Sequence, residues 1–490
     1  MRERKLHLLI ILGIYIITLL VITKNLDTPY LWFDEAGQFF IAKGLNHDSN
    51  PLGGEKGLSF VVKNNAYYNL DPGGFSILLH YWSKISNTHI WLRILPFLFF
   101  IGTVLLFIYL SYLWTKNLII ALLMGFAPIL IAMVLNMGFE VRAYSMEGMG
   151  TILGLVALER LKNKISIMKL LFWSCIFSFF MTSRYSEFVI VFIVSVYILY
   201  LIYNSNLAVR QKYLTVFVYA LPIVLTIVFI YAKVLVVQNK NIEPVNYLTY
   251  LSTDKSILFS PIRNFLYLGL VGFFMVLYLF RNRSLFIKKH IMPLTVALTV
   301  NILFLILSFL NKYPWDPFSH RCISMLLLTV ACSVAYIGEI LIQSFTKFET
   351  VKYYFIILSL ITILYLRKDL LLIRQDCHNT YYDFIKTDFR NYHHIYVDRW
   401  ESPCIRYLFE YGQLRAEKQG FYPNAFTFAK YHRHGFYNGE PNKAEFYKRQ
   451  PKMNDLLEYD LLITPELFNQ GSNWKWSLLK GTTNFYIKRN

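Results

Sequence analysis

The sequence predicts a mainly α-helical protein that crosses a membrane about eleven times and ends in a small α/β domain. Of its 490 residues, 56% are hydrophobic and only 16% are charged, which is more apolar than a soluble domain of this size. Its apolar runs are about 17 to 25 residues long, the length at which a helix crosses a ~30 Å hydrocarbon core. Lys and Arg are concentrated in the short loops between these runs, as they are in cytoplasmic loops.

The apolar runs predict the individual transmembrane spans. They are Leu6–Ile22, His89–Trp114, Leu118–Leu135, Tyr144–Leu161, Ile167–Thr182, Tyr185–Tyr203, Tyr213–Val237, Ile262–Phe280, Ile291–Leu310, Cys322–Gln343 and Tyr353–Leu372. Threading them alternately through the membrane puts the loops around Arg160, Arg210 and Arg283 in the cytoplasm together with the N-terminus. The predicted transmembrane domain is therefore 1–372, with a first outer loop over 23–88.

One apolar stretch of the first outer loop is too short to cross the membrane. Phe75–Ile85 carries His80 and Lys84, so it predicts a helix that lies at the outer interface. If this stretch were a span instead, the side assigned to every later loop would change.

The tail, 373–490, predicts a small mixed α/β domain. Its strand-like runs are His394–Val397, Asp460–Thr464, Trp476–Leu479 and Asn484–Lys488, and its helical stretch is Ile405–Tyr411. An odd number of spans places this domain outside the cytoplasm.

The same threading gathers four polar clusters on the outer side of the membrane. They are Trp32–Glu35, Phe139–Tyr144, Ser183–Tyr185 and Lys312–Arg321. Ionisable residues gathered on one face of a membrane bundle are costly and usually mark a functional site. Much of the excess behind the net charge of +19 lies in short loops between the apolar runs, so the sequence indicates the lipid bilayer as a partner and no nucleic acid.

Four motifs follow one another in the first 190 residues: Tyr30–Ala36, Asn69–Trp82, Leu92–Pro96 and Glu140–Met146. Together they resemble the motifs of the GT-C membrane glycosyltransferases, the superfamily of protein O-mannosyltransferases and lipid A aminoarabinose transferases. Tyr30–Ala36 is similar to the acidic motif of the first outer loop, and Asn69–Trp82 to the interfacial helix. Leu92–Pro96 is similar to the Arg-Leu-Pro that opens the second span, and Glu140–Met146 to a motif after the third. The order and spacing of the motifs carry the resemblance.

The resemblance implies a GT-C-type bundle with outer interfacial helices and a glycosyltransferase activity. Such an enzyme moves a sugar from a polyprenyl-phosphate carrier to a hydroxyl of a glycolipid, polysaccharide or protein acceptor outside the cytoplasm, with inversion at the anomeric carbon. The expected location is a plasma (inner) membrane. No cofactor is expected, and the chain has no P-loop or GxGxxG phosphate cradle.

The acidic candidates for catalysis are Asp34, Glu35 and Asp71. The resemblance aligns Asp34 with the catalytic acid of the family, and a carboxylate there would take the proton of the attacking hydroxyl. Capping of the helix Glu35–Gly44 is the alternative role of Asp34. Glu35 either orients a substrate hydroxyl or complements the helix dipole. Asp71 is either a second acidic group of the cavity or an ordinary turn residue before Pro72.

The basic candidates would hold the donor phosphate, because guanidinium groups bind phosphate oxygens in pairs of hydrogen bonds. They are Arg142, Arg184, Lys312, His320 and Arg321. Snorkelling to lipid headgroups is the alternative for each of them.

Aromatic and polar residues of the same loops are candidates for contact with the substrate. They are Tyr67, His80, Trp82, Glu140, Tyr144 and Tyr185. The aromatic members also fit an ordinary interfacial belt, and Glu140 has Arg142 as a candidate partner. The sequence indicates no metal site, because no His/Asp cluster has ligand spacing.

Two other functional classes compete with the glycosyltransferase. A transporter or flippase has a similar number of helices but more often carries charge in mid-span and symmetric halves. A polysaccharide polymerase or ligase also handles lipid-linked glycans, but it lacks the early acidic motif.

Overall fold

A computed structural model describes the chain over most of its predicted membrane domain and over parts of its tail. The described residues are 2–45, 54–162, 165–241, 260–280, 285–310, 312–313, 323–344, 349–366, 381, 383–384, 386–397, 401–412, 426–428, 458–463, 476–480 and 485–488.

The described residues before the tail are almost entirely helical. The helices of the first half are α1 Arg2–Ile22, α2 Phe33–Ala42, α3 Leu58–Tyr68, α4 Gly74–Trp82, α5 His89–Thr115, α6 Leu118–Met124, α7 Ala127–Leu130, α8 Ala132–Met137, α9 Tyr144–Leu161, α10 Ile167–Met181 and α11 Tyr185–Tyr203. Those that follow are α12 Val209–Ile230, α13 Val236–Asn241, α14 Ser260–Leu279, α15 Leu285–Phe309, α16 Ile323–Ser344 and α17 Glu349–Leu366. A π-helical turn, Tyr231–Leu235, joins α12 to α13.

Six helices among the described residues are long and apolar enough to cross a membrane. Their apolar segments are Lys5–Leu26, His89–Thr115, Tyr185–Tyr203, Val209–Asn239, His290–Phe309 and Ile323–Leu341. Large side chains on the outer surface of α12, such as Leu225, Val228 and Phe229, are exposed in the isolated chain. Lipid tails would cover such an apolar surface, so the protein is a multi-pass membrane protein.

The predicted span Leu118–Leu135 is not one continuous helix. It is divided into α6, α7 and α8, with Ile131 in an extended conformation between the last two. Pro128 lies in the first turn of α7, where its missing N–H costs nothing, and it prevents α6 from continuing. Gly125 lies at the end of α6, where a Cβ would overlap Ile108 of α5. The division therefore has a local cause in the sequence.

Helix α9 is the central helix of the bundle. Nearly all of its residues are buried, and it contacts α5, α10, α11 and α16. Gly150 allows this close packing, because a Cβ there would come within 2.8 Å of the Phe180 Cβ atom on α10. Polar residues at the start of α9 are therefore surrounded by other helices.

The described tail contains the predicted sheet and one additional strand. The strands are β1 Ile395–Val397, β2 Phe426–Phe428, β3 Leu461–Ile463, β4 Trp476–Leu478 and β5 Phe485–Lys488, in the order β2-β1-β3-β5-β4. Strand β1 pairs in parallel with β2 and β3, whereas β5 pairs antiparallel with β3 and β4. The helix α18, Ser402–Glu410, lies between β1 and β2 in the sequence.

Helix α18 of the tail packs against helix α2. The Phe39 ring lies 5.2 Å from the Tyr407 ring and 5.0 Å from the Tyr411 ring, both edge to face. The Tyr407 hydroxyl donates to the Asn87 carbonyl oxygen at 2.8 Å, and the Tyr30 hydroxyl donates to the Glu401 carboxylate. The tail thus lies at the same end of the bundle as the loop that precedes α2.

Candidate active site

The start of α2 is fixed by a buried ion pair between Glu35 and Arg93. Neither side chain is exposed, and Arg93 Nη1 lies 2.6 Å from Glu35 Oε1 while Nη2 lies 3.1 Å from Oε2. The two carboxylate oxygens also accept the backbone N–H groups of Trp32, at 3.2 Å, and Val141, at 2.9 Å. Glu35 therefore joins α2 to α5 and to the loop before α9.

The remaining donors of Arg93 bind backbone carbonyl groups. Its Nε, Nη1 and Nη2 groups donate to the carbonyl oxygens of Thr28, Phe139 and Tyr30 at 3.3, 2.6 and 2.9 Å. Two separate loops are thereby held against one guanidinium. This favours a positioning role for Glu35 over direct contact with substrate, because its oxygens are already occupied.

Asp34 lies beside this pair but points to a different partner. The capping position of α2 is Trp32, so Asp34 does not have the capping role that the sequence left open. Its Oδ2 atom lies 3.6 Å from Arg142 Nη1, and 31% of its side chain is exposed. Arg142 Nη1 also approaches the Asp34 carbonyl oxygen at 3.4 Å. Asp34 is thus a carboxylate at an accessible edge, next to a cation.

Asp71 lies in a tight loop that amide side chains hold in place. Its carbonyl oxygen accepts from Asn65 Nδ2 at 2.8 Å and from Gln238 Nε2 at 3.2 Å. Gly73 has φ +105°, a conformation that L side chains rarely adopt, and it lets the chain turn directly into α4. The carboxylate of Asp71 is left to face the two arginines.

Arg184 approaches Asp71 because α4 packs closely against the loop that precedes α11. The Gly74 N–H donates to the Thr182 carbonyl oxygen at 2.8 Å, and a Cβ at Gly74 would overlap the Thr182 side chain. Arg184 Nε then lies 3.2 Å from Asp71 Oδ1, and Arg142 Nη2 lies 3.9 Å from Asp71 Oδ2. The side chain of Asp71 is only 7% exposed.

The Tyr144 ring packs against both arginines. The Arg184 guanidinium carbon lies 4.6 Å from the ring centroid and that of Arg142 lies 5.5 Å away, within the range of cation–π contacts. The structure therefore brings together five of the predicted site residues, from four separate segments of the chain. They are Asp34, Asp71, Arg142, Tyr144 and Arg184.

The two guanidinium groups keep their charge in this surrounding. Burial acts to lower the pKa of Arg142, but the fields of Tyr144, Asp34 and Asp71 raise this pKa by more. The pKa of Arg184 is likewise raised: burial lowers it, and Asp71, Tyr313 and Glu147 raise it. Two charged guanidinium groups at a partly open edge are suited to hold an anionic group.

The described contacts of three other predicted contact residues are with residues outside this cluster. His80 is buried, with Nδ1 2.7 Å from the Ala42 carbonyl oxygen. The Trp82 and Trp91 rings stack at 4.4 Å, and the Trp82 indole N–H donates to the Trp91 carbonyl oxygen. Tyr67 is exposed on α3, 6.4 Å from the Tyr68 ring.

The other predicted residues fall into three groups. Glu140 is buried next to Arg142, whose N–H donates to the Glu140 carbonyl oxygen at 2.6 Å. Tyr185 supports the Asp71 loop indirectly, because its hydroxyl donates to Gln238 Oε1 at 2.5 Å. Lys312 is exposed, and His320 and Arg321 lie outside the described residues.

Sequence reasoning missed Glu147 and Gln238. Glu147 is fully buried in α9 with Oε2 3.6 Å from Arg184 Nε, and an acidic residue inside a predicted span is a signal that the sequence did contain. Gln238 donates to the carbonyl oxygens of Asn69, at 2.8 Å, and Asp71. No local pattern marks Gln238, because its partners lie far away in the chain.

Within the described ranges, no three His, Cys, Asp or Glu side chains are grouped so that they could hold a metal ion. No family model matches the chain, and no curated protein matches it. The site is therefore defined by its own geometry: two carboxylates and two arginines at the ends of apolar helices.

Proposed function

We propose that the protein is a GT-C-type glycosyltransferase that moves a sugar from a polyprenyl-phosphate carrier to an acceptor hydroxyl. The observation that carries this proposal is the Asp34–Arg142–Asp71–Arg184 cluster, in which a partly exposed carboxylate lies beside two guanidinium groups that are mostly buried. A displacement at an anomeric carbon needs both elements within one site: a base for the hydroxyl and cations for the departing phosphate.

In this proposal the reaction is one in-line displacement. Asp34 accepts the proton of the acceptor hydroxyl as its oxygen forms a bond to the anomeric carbon. The bond between that carbon and the phosphate oxygen breaks on the opposite face, and the polyprenyl phosphate leaves with the electron pair. Arg142 and Arg184 stabilise the phosphate, and Asp71 holds both guanidinium groups in place. The acceptor is a glycolipid, a polysaccharide or a protein.

The placement of the charges supports the proposal of glycosyl transfer over transport. The described ionisable groups of the cluster lie in loops or first helical turns at one end of the bundle, and they are not spread along a path through it. A flippase or transporter would move its cargo past charges at several depths. A polymerase or ligase of lipid-linked glycans would use the same phosphate-binding groups with a different acceptor.

Replacing Arg142 by Ala should weaken the binding of a polyprenyl-phosphate sugar by about 10- to 100-fold, since a hydrogen bond to a charged group contributes ~1.5–3 kcal/mol. Arg142→Lys should restore only part of the affinity, because an ammonium group lacks the paired donors. Titration of the purified protein in nanodiscs with the lipid-linked sugar measures the effect. Arg210→Ala, at an exposed arginine, serves as the control. An Arg142→Ala variant with the affinity of the control would assign Arg142 to another role.

We also propose that the site and the tail lie outside the cytoplasm, in a plasma (inner) membrane. The tail packs on the loop before α2, so site and tail share one side of the membrane. The basic loops support the assignment of the other side to the cytoplasm.

A reporter that is active only in the cytoplasm should therefore stay silent when it is fused after Asn490. The same reporter fused after Arg210, at the start of α12 on the side assigned to the cytoplasm, should be active and serves as the control. A strong signal from the Asn490 fusion would invert this topology.

A further inference from the structure

Glu147 is a carboxylate that contacts an arginine of the cluster and that the proposed reaction does not use. It lies in the first turn of α9 and is fully buried. Its Oε1 atom accepts from the Ser186 hydroxyl of α11 at 2.6 Å and from the Ser324 hydroxyl of α16 at 2.5 Å. One carboxylate oxygen therefore joins three helices.

The second oxygen of Glu147 has a different surrounding. Oε2 accepts no hydrogen bond from the described residues, and it lies 3.6 Å from Arg184 Nε. On its other side, Arg184 Nε lies 3.2 Å from Asp71 Oδ1. The arginine is thus held between a carboxylate on a loop and one on the central helix, and the two hydroxyls fix the rotation of the Glu147 carboxylate.

We propose that Glu147 is a positioning residue that orients Arg184 toward the phosphate of the lipid-linked donor. This inference rests on the proposed function, because it assigns Arg184 a phosphate to bind. Glu147 does not contact the substrate in this account. It acts through Arg184, and Ser186 and Ser324 act through Glu147.

The chain offers a matched control for this role. Glu187 is also buried, lies in the first turn of α11 and accepts from the Thr151 hydroxyl at 2.6 Å. Among its described contacts, the Glu187 carboxylate has none with the Arg184 guanidinium, and only its backbone N–H reaches Arg184, donating to the carbonyl oxygen at 3.1 Å. Glu187→Gln removes a buried carboxylate that interacts electrostatically with Glu147, but it keeps the backbone hydrogen bond to Arg184 and removes no carboxylate that contacts the guanidinium.

The variant Glu147→Gln tests whether Glu147 orients Arg184 or only joins the helices. The amide oxygen can still accept from both serines, whereas the amide nitrogen would place a donor against the donor Arg184 Nε. We expect the dissociation constant for polyprenyl phosphate, measured with the purified protein in nanodiscs, to rise about 5- to 10-fold. Glu187→Gln should change it less than about 2-fold. Ser324→Ala removes one of the two hydrogen bonds to Glu147 Oε1 and leaves the one from Ser186, so it should raise the constant only about 2- to 3-fold.

The decisive test is a double-mutant cycle with Arg184→Gln, with the thermal unfolding midpoint of every variant measured alongside. If Glu147 acts through Arg184, Glu147→Gln should weaken binding less than about 2-fold in the Arg184→Gln background. Equal weakening in both backgrounds would overturn this inference and leave the proposed function in place. Failure of the parent protein to bind polyprenyl phosphate would overturn the proposed function itself.

Discussion

Replacing Asp34 by Asn is expected to slow sugar transfer by at least about 100-fold, because a positioned general base contributes ~10²- to 10⁴-fold to rate. The amide keeps the size of the side chain but does not accept the proton of the attacking hydroxyl. Since Trp32 occupies the capping position of α2, the substitution does not remove a helix cap. Donor affinity should stay near the parental value, so the loss should appear in kcat of the purified, reconstituted protein.

Asp27→Asn is the matched control for this prediction. Asp27 precedes the same helix, but 72% of its side chain is exposed and its carboxylate lies 3.1 Å from His89 Nε2, apart from the arginines of the site. Its variant should retain turnover close to that of the parent. Near-parental transfer by Asp34→Asn would remove Asp34 as the base and direct attention to Asp71.

Replacing Arg93 by Ala is expected to give the largest loss of stability. Removing one partner of a buried ion pair costs ~3–5 kcal/mol, because the other charge stays buried without compensation. Glu35 would be that charge, and the carbonyl oxygens of Thr28, Tyr30 and Phe139 would lose their donors as well. The thermal unfolding midpoint in detergent should fall steeply, or the protein should fail to accumulate in folded form.

Arg160→Ala removes an exposed arginine that lies over the Tyr109 ring, and it should change the midpoint little. A double variant, Arg93→Met with Glu35→Met, should be less damaging than the sum of the single variants, because it leaves no unpaired charge. If Arg93→Ala were no less stable than Arg160→Ala, the buried pair would not be what fixes α2.

The membrane topology predicted from the sequence was enough to place most residues of the site on one side of the membrane. Asp34, Arg142 and Arg184 each lie next to the start of a helix that the threading placed on the outer side, and the structure brings them to one end of the bundle. Asp71 became a candidate because it lies in the motif Asn69–Trp82, the second of the four that resemble the GT-C family. The distribution of Lys and Arg among the loops predicts on which side of the membrane each loop lies, but it does not predict which side chains are in contact.

The role of Glu35 was not predictable in the same way. Its partner Arg93 lies 58 residues further along the chain, and the sequence offered no reason to pair them before the loops were folded together. Glu147 was missed for a different reason. Its helix was treated as an apolar span, although an acidic residue there was a signal in itself.

The division of the predicted span Leu118–Leu135 into three helices shows that hydropathy does not reveal where a helix is interrupted. Hydropathy alone favours one helix over this run, whereas Gly125 and Pro128 interrupt the backbone pattern of a continuous helix. Span count therefore depends on these breaks as well as on apolar length. The six long apolar helices among the described residues establish the membrane class without fixing that count.

Release of free polyprenyl phosphate is the measurement that tests the central claim most directly. The purified protein, reconstituted in liposomes, would be incubated with polyprenyl-phosphate sugars and a cell-envelope extract as acceptor, and the lipid products would be quantified by mass spectrometry. The account predicts release that depends on the acceptor, is retained by Asp27→Asn and falls at least about 100-fold in Asp34→Asn. Release that is equal in the parent and Asp34→Asn, or absent with every donor, would contradict it.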